Sequence, residues 1–121
     1  MSDLKELVDH YLTAWNTPDD AARRAIIADV FTDDGVFVDP FMEVQGHDAV
    51  NGGIGAVLAQ FPGHALTRLG DIDDHHGTAR FRWQIAPADG GESVVEGLDV
   101  VVTEDGKLKG VYGFIDKMPA A

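Results

Sequence analysis

The chain has 121 residues, of which 45% are hydrophobic and 25% charged, so it is long enough to bury one core and is expected to form a single domain over residues 1–121. Its 21 acidic residues against 9 basic residues give a formal charge of −12, which argues against binding to nucleic acid or to an anionic membrane surface. The absence of cysteine excludes disulfides and thiolate metal sites.

The N-terminus predicts a cytoplasmic location. The first residues, Met1-Ser2-Asp3-Leu4-Lys5-Glu6, lack the basic start and the apolar core of a signal peptide. No apolar stretch approaches the roughly 18 residues that a membrane-spanning helix needs. At the other end, residues 118–121 are expected to form a loose tail.

Three helices are predicted in the first half of the chain. The first covers residues 4–15, where apolar side chains recur at helical spacing. The second runs to about Phe31, with Thr17 as its N-cap and Pro18 at its first position. The third follows Gly46 and reaches about Phe61. It contains three glycines (52, 53 and 55), which we interpret as points of close backbone packing; the alternative is a loose helix beside a pocket.

The remaining segments predict strands. A turn at residues 32–35 leads into a short strand at 36–39. Longer strands are expected at 65–73, 77–87, 93–104 and 107–116, where the apolar period is two. Helices followed by antiparallel strands indicate an α+β domain. The strand at 93–104 carries apolar residues on both faces, so its outer face needs a cover, and a homodimer is the simplest source of one.

Two aspartates lie inside apolar strand-like runs. Asp39 follows Gly35-Val36-Phe37-Val38, and Asp99 lies between Leu98 and Val100. A carboxylate removed from water is costly unless it is paired, hydrogen-bonded or protonated. Each of these residues is therefore either a structural anchor or a tuned acid or base. The structural alternative for Asp39 is a strand end that binds local backbone groups, and for Asp99 a strand residue that faces water or a partner's arginine.

The order of these elements resembles the nuclear transport factor 2-like superfamily, in particular SnoaL-like polyketide cyclases and ketosteroid isomerases. The resemblance rests on Tyr11-Leu12-Thr13-Ala14-Trp15-Asn16, Phe31 to Pro40, Gly46-His47-Asp48-Ala49-Val50 and Asp105-Gly106-Lys107-Leu108. It implies a cone-shaped α+β barrel, in which three N-terminal helices pack on a strongly curved, mostly antiparallel sheet around an apolar pocket.

The resemblance to ketosteroid isomerase assigns three catalytic candidates. Asp39 matches the general base, Tyr11 the tyrosine that binds the oxyanion, and Asp99 the acid that donates a second hydrogen bond. Ketosteroid isomerase is a known example of pKa tuning, in which one carboxyl group is an ionised base and another stays protonated. The supporting tyrosine of the third helix is replaced by Ile54 here. For Tyr11, the alternative is a core residue with its hydroxyl at the edge.

Large apolar side chains are candidates for the substrate-binding wall, although most of them are expected to belong to the core. They are Trp15, Phe31, Phe41, Ile54, Phe61, Phe81, Trp83 and Phe114. Side chains alternate between the two faces of the strand expected at 77–87. Phe81 and Trp83 therefore lie on one face and Arg80 and Arg82 on the other, where the arginines could pair with acids such as Glu96.

Three functions remain open at this stage. The leading prediction is a cofactor-independent enzyme, an isomerase or cyclase that transfers a proton on an apolar carbonyl compound. The second is a non-catalytic module that binds a small molecule or a protein. The third is a hydrolase like limonene epoxide hydrolase, which would need Arg80 or Arg82 inside the pocket. The histidine spacing predicts no metal site.

Overall fold

The computed structural model describes residues 3–119. The elements, in chain order, are α1 (Leu4–Ala14), α2 (Asp20–Val30), β1 (Phe31–Val38), β2 (Glu43–Gln45), α3 (His47–Gln60), β3 (His64–His75), β4 (Thr78–Pro87), β5 (Val95–Glu104) and β6 (Lys107–Lys117). Of the expected tail, residues 120 and 121 lie outside the described part.

The six strands form one curved sheet in the order β2-β1-β6-β5-β4-β3. Every neighbouring pair is antiparallel except β1 and β6, which run parallel. The three helices pack on the inner face, and the sheet stays open at β2 and β3 rather than closing on itself. The predicted α+β class, with three helices on a mostly antiparallel curved sheet, is confirmed.

The second helix begins later than its sequence predicts. Its N-cap is Asp19, whose carboxylate accepts the Ala22 N–H at 2.8 Å, so that Thr17 and Pro18 remain outside the helix. The carbonyl oxygens of Thr17 and Pro18 instead accept hydrogen bonds from the guanidinium group of Arg23. An ionised cap satisfies the free N–H groups of the first turn and complements the helix dipole.

The turn predicted at residues 32–35 is part of strand β1. The pairing with β6 shifts between Phe31 and Val36, so the polar residues of this segment occupy an irregular stretch of a strand. Gly35 is required there, because a Cβ atom would lie 2.7 Å from Cδ1 of Phe31. The short strand β2, which pairs with the end of β1, was not predicted.

Close packing explains two of the three glycines in α3. A Cβ at Gly53 would lie 2.5 Å from the sulfur of Met42, and one at Gly55 would lie 2.6 Å from Nη2 of the buried Arg23. Gly52 differs, because nothing lies within 4 Å of its Cβ position. The interpretation of close packing therefore holds for Gly53 and Gly55.

The alternation predicted for β4 is confirmed. Phe81 and Trp83 are buried on the inner face, whereas Arg80 and Arg82 lie on the outer face with more than half of each side chain exposed. The Arg82 guanidinium lies 3.6 Å from the Glu96 carboxylate, as the sequence suggested. The outer face therefore combines these ion pairs with a group of apolar side chains on β5 and β6.

None of the helices in residues 3–119 is both long enough and apolar enough to cross a membrane.

Candidate functional site

An apolar cavity of about 180 Å³ opens between the inner face of the sheet and the helices. Most of its wall is aromatic or aliphatic. Its lining residues are Trp15, Phe37, Asp39, Phe41, Val57, Gln60, Phe61, Leu66, Trp83, Ile85, Val95, Asp99, Gly113, Ile115 and Met118. Both strand aspartates lie on this wall, and none of the described lining residues is basic.

Asp39 and Asp99 lie on either side of one glycine. Asp99 in β5 pairs directly with Gly113 in β6, and Asp39 follows Val38, the partner of Tyr112. A Cβ at Gly113 would lie 3.0 Å from Oδ1 of Asp99 and 3.3 Å from Cβ of Asp39. The missing side chain of Gly113 therefore leaves room for the two carboxyl groups to line the same cavity.

Asp99 is a buried acid that titrates near neutrality. Only 5% of the residue is exposed, and its Oδ1 accepts a hydrogen bond from Nε1 of Trp83 at 2.9 Å. Burial raises the pKa of Asp99 to about 7; the bond from Trp83 acts against this rise, and the charge of Asp39 adds to it. The protonated form of Asp99 is therefore available at neutral pH as a hydrogen-bond donor.

The second oxygen of Asp99 is open to the cavity. Among residues 3–119, Oδ2 makes no hydrogen bond within the chain, and no fully buried side-chain oxygen lacks a partner. Oδ2 therefore has exposed surface, and Asp99 lines the cavity, so we infer that Oδ2 faces it. A proton on Oδ2 can be donated to a bound molecule.

Asp39 makes the local backbone contacts of the structural alternative. Its Oδ1 accepts the backbone N–H groups of Phe41 and Met42 at 2.9 and 3.0 Å, and its own N–H donates to the Met42 carbonyl. The residue thus fixes the turn after β1, as a structural aspartate would. The half-buried residue also lines the cavity.

Tyr11 lies close to the two aspartates but does not line the cavity. It has no exposed surface, and its hydroxyl oxygen accepts a hydrogen bond from Nε1 of Trp15 at 2.8 Å. Burial raises the pKa of Tyr11 well above its usual value; the charge of Asp99 adds to this rise, the bond from Trp15 opposes it, and Asp39 contributes a smaller increase. Trp15, unlike Tyr11, lines the cavity.

Four of the eight candidates for the substrate-binding wall line the cavity. Trp15, Phe41, Phe61 and Trp83 line the cavity, and Phe41 is 63% exposed, as suits a residue at the mouth. The other four candidates, Phe31, Ile54, Phe81 and Phe114, do not line it. The first three are fully buried in the core, where the Phe31 ring packs edge-on against Tyr11 at 5.7 Å. Phe114 lies on the opposite, outer face of the sheet and is 58% exposed.

Several lining residues were missed by the sequence analysis. Phe37, Val95 and Ile115 point inward from three strands, and strand alternation was the signal that could have found them. Met118, expected in a loose tail, lies on the wall instead. A glycine offers no pattern of its own, so Gly113 could be recognised only from the register of β5 and β6.

Substitution of Gly113 by alanine should damage this site selectively. The added methyl group would push against Asp99 Oδ1 and Asp39 Cβ, so we expect weaker ligand binding and a loss of about 1–3 kcal/mol of stability from overpacking. Gly52→Ala is the matched control, because it meets no neighbour and should stabilise α3 by up to about 1 kcal/mol. Urea unfolding and ligand titration of both variants check this, and equal binding by the two variants would contradict it.

A protein-family model described as a SnoaL-like domain matches residues 8–111. The chain belongs to the SnoaL-like family. Its fold is accordingly that of the nuclear transport factor 2-like superfamily, which confirms the resemblance drawn from the sequence. No curated protein matches the chain.

Solved structures agree with this SnoaL-like assignment. A provisionally assigned isomerase of the SnoaL-like family from Agrobacterium tumefaciens is 32% identical and superimposes with a TM-score of 0.86, covering 92% of this chain and 95% of that one. A provisionally assigned polyketide cyclase from Sinorhizobium meliloti is 18% identical (TM-score 0.70, covering 89% and 93%). A provisionally assigned ketosteroid isomerase from Kribbella flavida is 15% identical (TM-score 0.69, covering 97% and 80%). The last two are similar in fold alone.

The arrangement needed for the hydrolase alternative is not present in this SnoaL-like cavity. Arg80 and Arg82, the two arginines considered for it, lie on the outer face and pair with Asp73 and Glu96. Their register positions opposite Val100 and Leu98 keep them on the far side of the sheet from Asp99. The requirement of the hydrolase hypothesis, Arg80 or Arg82 inside the pocket, is therefore not met.

Proposed function

We propose that the protein is a cofactor-independent isomerase or cyclase that moves a proton on a compact, uncharged carbonyl compound. The observation that carries this proposal is the pair of cavity-lining carboxyl groups, Asp39 and Asp99, with one of them protonated near neutrality. An anionic ligand is disfavoured, because the described lining residues include two acids and no base. The SnoaL-like family and its provisionally assigned isomerase and cyclase relatives support the same reaction class.

In the proposed reaction, Asp39 acts as the base and Asp99 as the hydrogen-bond donor. The Asp39 carboxylate removes a proton from the carbon beside the carbonyl, and the electron pair of the broken C–H bond moves into the enolate. Asp99 donates a hydrogen bond from Oδ2 to the enolate oxygen, where charge develops. Asp39 then returns the proton to the carbon at the far end of the conjugated system, so that the net reaction is an isomerisation.

Tyr11 remains a proposed second donor. It lies near both acids, and its own O–H remains a donor while its oxygen accepts the Trp15 N–H, but the side chain has no exposed surface. Donation from Tyr11 to a ligand would require the side chains that cover it to move. The core of the proposal therefore rests on Asp39 and Asp99, which reach the cavity directly.

The volume of the cavity limits the size of the substrate. An engineered protein cavity of about 150 Å³ holds benzene, so 180 Å³ suits a single six-membered ring with its carbonyl group. A fused four-ring steroid exceeds this space unless most of it stays outside the mouth. We infer a one-ring or short-chain carbonyl compound, held by Trp15, Phe37, Phe61 and Trp83.

A ring-size series tests both the reaction and the size limit. We expect the β,γ-unsaturated cyclohexenone to be converted to its conjugated isomer. We also expect kcat/KM to fall at least about tenfold for each ring added beyond the first, because a larger substrate does not fit inside the cavity and loses binding energy there. Conversion is followed by the ultraviolet absorbance of the conjugated ketone. A higher kcat/KM for the four-ring substrate would contradict the size limit. If none of the ketones in the series is converted, the proposed reaction is contradicted.

The second candidate is a binding module without catalysis. It is favoured by the use of Asp39 Oδ1 in the local turn and by the burial of Tyr11 away from the wall. A module of this kind would bind the same small apolar ligands. It would bind them equally well after Asp39→Asn, and neither the wild type nor the variant would exchange protons with the ligand.

We also propose a homodimer through the outer sheet face. Leu98 pairs with Phe114, and Val100 with Tyr112, so apolar side chains form a continuous patch across β5 and β6. Phe114 is 58% exposed and Tyr112 is 38% exposed, which is unusual for large apolar groups side by side. Phe114→Glu should convert a dimer to a monomer in analytical ultracentrifugation, and a wild type that is monomeric throughout would contradict the proposal.

The cytoplasmic location predicted from the N-terminus is likewise a proposal. Residues 1 and 2 lie outside the described part of the chain. Fractionation of cells that express the untagged protein tests it, and recovery outside the cytoplasm would contradict it.

A further inference from the structure

Both tryptophans of the chain line the cavity, and each donates its indole N–H to a different proposed catalytic group. Trp15 donates to the Tyr11 hydroxyl at 2.8 Å, and Trp83 donates to Asp99 Oδ1 at 2.9 Å. An indole N–H can only donate, so it fixes the oxygen that it contacts as an acceptor. At Asp99 this contact leaves Oδ2 as the oxygen that can carry and donate the proton, whereas the Tyr11 hydroxyl can accept and still donate.

We propose that Trp83 is a positioning residue for Asp99, whose indole N–H holds Oδ1 as an acceptor and directs the carboxyl proton to Oδ2. This inference rests on the proposed function of Asp99 as a donor. Trp83 has so far been described only as part of the apolar wall. Through its hydrogen bond to Asp99, Trp83 has a second proposed role, which is to orient the acid toward the bound carbonyl group.

The placement of Trp83 depends on a second glycine. Trp83 in β4 pairs directly with Gly97 in β5, two residues before Asp99 and on the same face of the sheet. A Cβ at Gly97 would lie 2.8 Å from Cε2 of the indole and even closer to Cζ2. The bare backbone of Gly97 therefore lets the indole lie across β5, so that its N–H reaches along the strand to Asp99.

The hydrogen bond from Trp83 also favours the ionised form of Asp99. It opposes the effect of burial, while Asp39 acts in the same direction as burial. Of the titratable groups near Asp99, Asp39 lies across Gly113 and Tyr11 lies on α1. Without the indole N–H, Asp99 would hold its proton to a higher pH, and the proton would no longer be confined to one oxygen.

Removing the N–H without changing the shape of the side chain is the sharpest test. A tryptophan analogue with sulfur in place of the indole N–H is incorporated at position 83, and the same analogue at position 15 serves as the matched control. The titration of Asp99 is followed by carbon NMR of the side-chain carboxyl, assigned as the resonance that is lost in Asp99→Asn. Loss of one charge-assisted hydrogen bond predicts an upward shift of about one pH unit at position 83. The analogue at position 15 should leave the Asp99 titration unchanged.

Two outcomes would overturn the inference. One is an Asp99 titration that is unaffected by the analogue at position 83, and the other is an equal shift from the analogue at position 15. Trp83→Phe is the second variant, and it should cost less activity in the Asp99→Asn background than in the wild type if Trp83 acts through Asp99. The titration needs no turnover. A shift without catalysis would thus reject the proposed reaction alone, whereas catalysis without a shift would reject the role of Trp83 alone.

Discussion

Asp39→Asn should reduce the isomerisation of a one-ring β,γ-unsaturated ketone by a factor of about 10²–10⁴ while leaving the fold intact. The variant removes the proposed base, whose contribution in other enzymes lies in this range. The Asn side-chain oxygen can still accept the Phe41 and Met42 N–H groups that Asp39 Oδ1 accepts, so the turn after β1 should persist. The measurement is kcat/KM, with the melting temperature recorded on the same sample.

The control for this variant is Asp116→Asn. Asp116 is an exposed carboxylate on β6, three residues beyond Gly113, and it does not line the cavity. Its substitution changes the net charge by the same amount, so long-range electrostatic effects are matched. Equal losses in the two variants, or full activity in Asp39→Asn, would exclude Asp39 as the base.

Asp99→Asn should change how stability depends on pH. In the folded protein the pKa of Asp99 is raised to about 7, whereas in the unfolded chain the carboxyl loses its proton near its ordinary value of about 4. Between these values the unfolded state binds fewer protons, so the stability of the wild type falls as the pH rises and levels off above about pH 7. Three units correspond to roughly 4 kcal/mol.

Asparagine stays neutral across this window and retains an oxygen that can accept the Trp83 N–H. We therefore expect the stability of Asp99→Asn relative to wild type to rise by roughly 4 kcal/mol between about pH 4 and pH 8. Urea unfolding at a series of pH values measures the difference, and Asp116→Asn again provides the control. A constant difference between wild type and Asp99→Asn would contradict the account of the buried acid.

Periodicity predicted the fold well, because strands and helices impose regular spacing on apolar residues. It also placed Phe81 and Trp83 inside and Arg80 and Arg82 outside. It could not see the irregular pairing of β1, since the polar segment after Phe31 has the composition of a turn and is held in the strand by β6. Helix α2 begins later than expected for a local reason, since Asp19 rather than Thr17 is its N-cap.

Sequence was less informative about which inward residues form a cavity wall. Phe31, Ile54 and Phe81 point inward like Trp83, but neighbouring side chains cover them completely. Tyr11 is fully buried, and its hydroxyl accepts the indole N–H of Trp15 one helical turn later. The juxtaposition of Asp39 and Asp99 depends on strand register and on the absence of a side chain at Gly113. These are tertiary properties that no local pattern encodes.

Proton exchange at the carbon beside a ketone tests the central claim most directly, because it requires a base in the cavity but no particular product. Cyclohexanone is incubated in deuterated buffer with the wild type or with Asp39→Asn, and deuterium incorporation is followed by proton NMR. The account predicts incorporation by the wild type well above the buffer rate, and little or none above that rate by Asp39→Asn. Ketone that binds to the wild type without exchanging would contradict catalysis and leave the protein as a binding module.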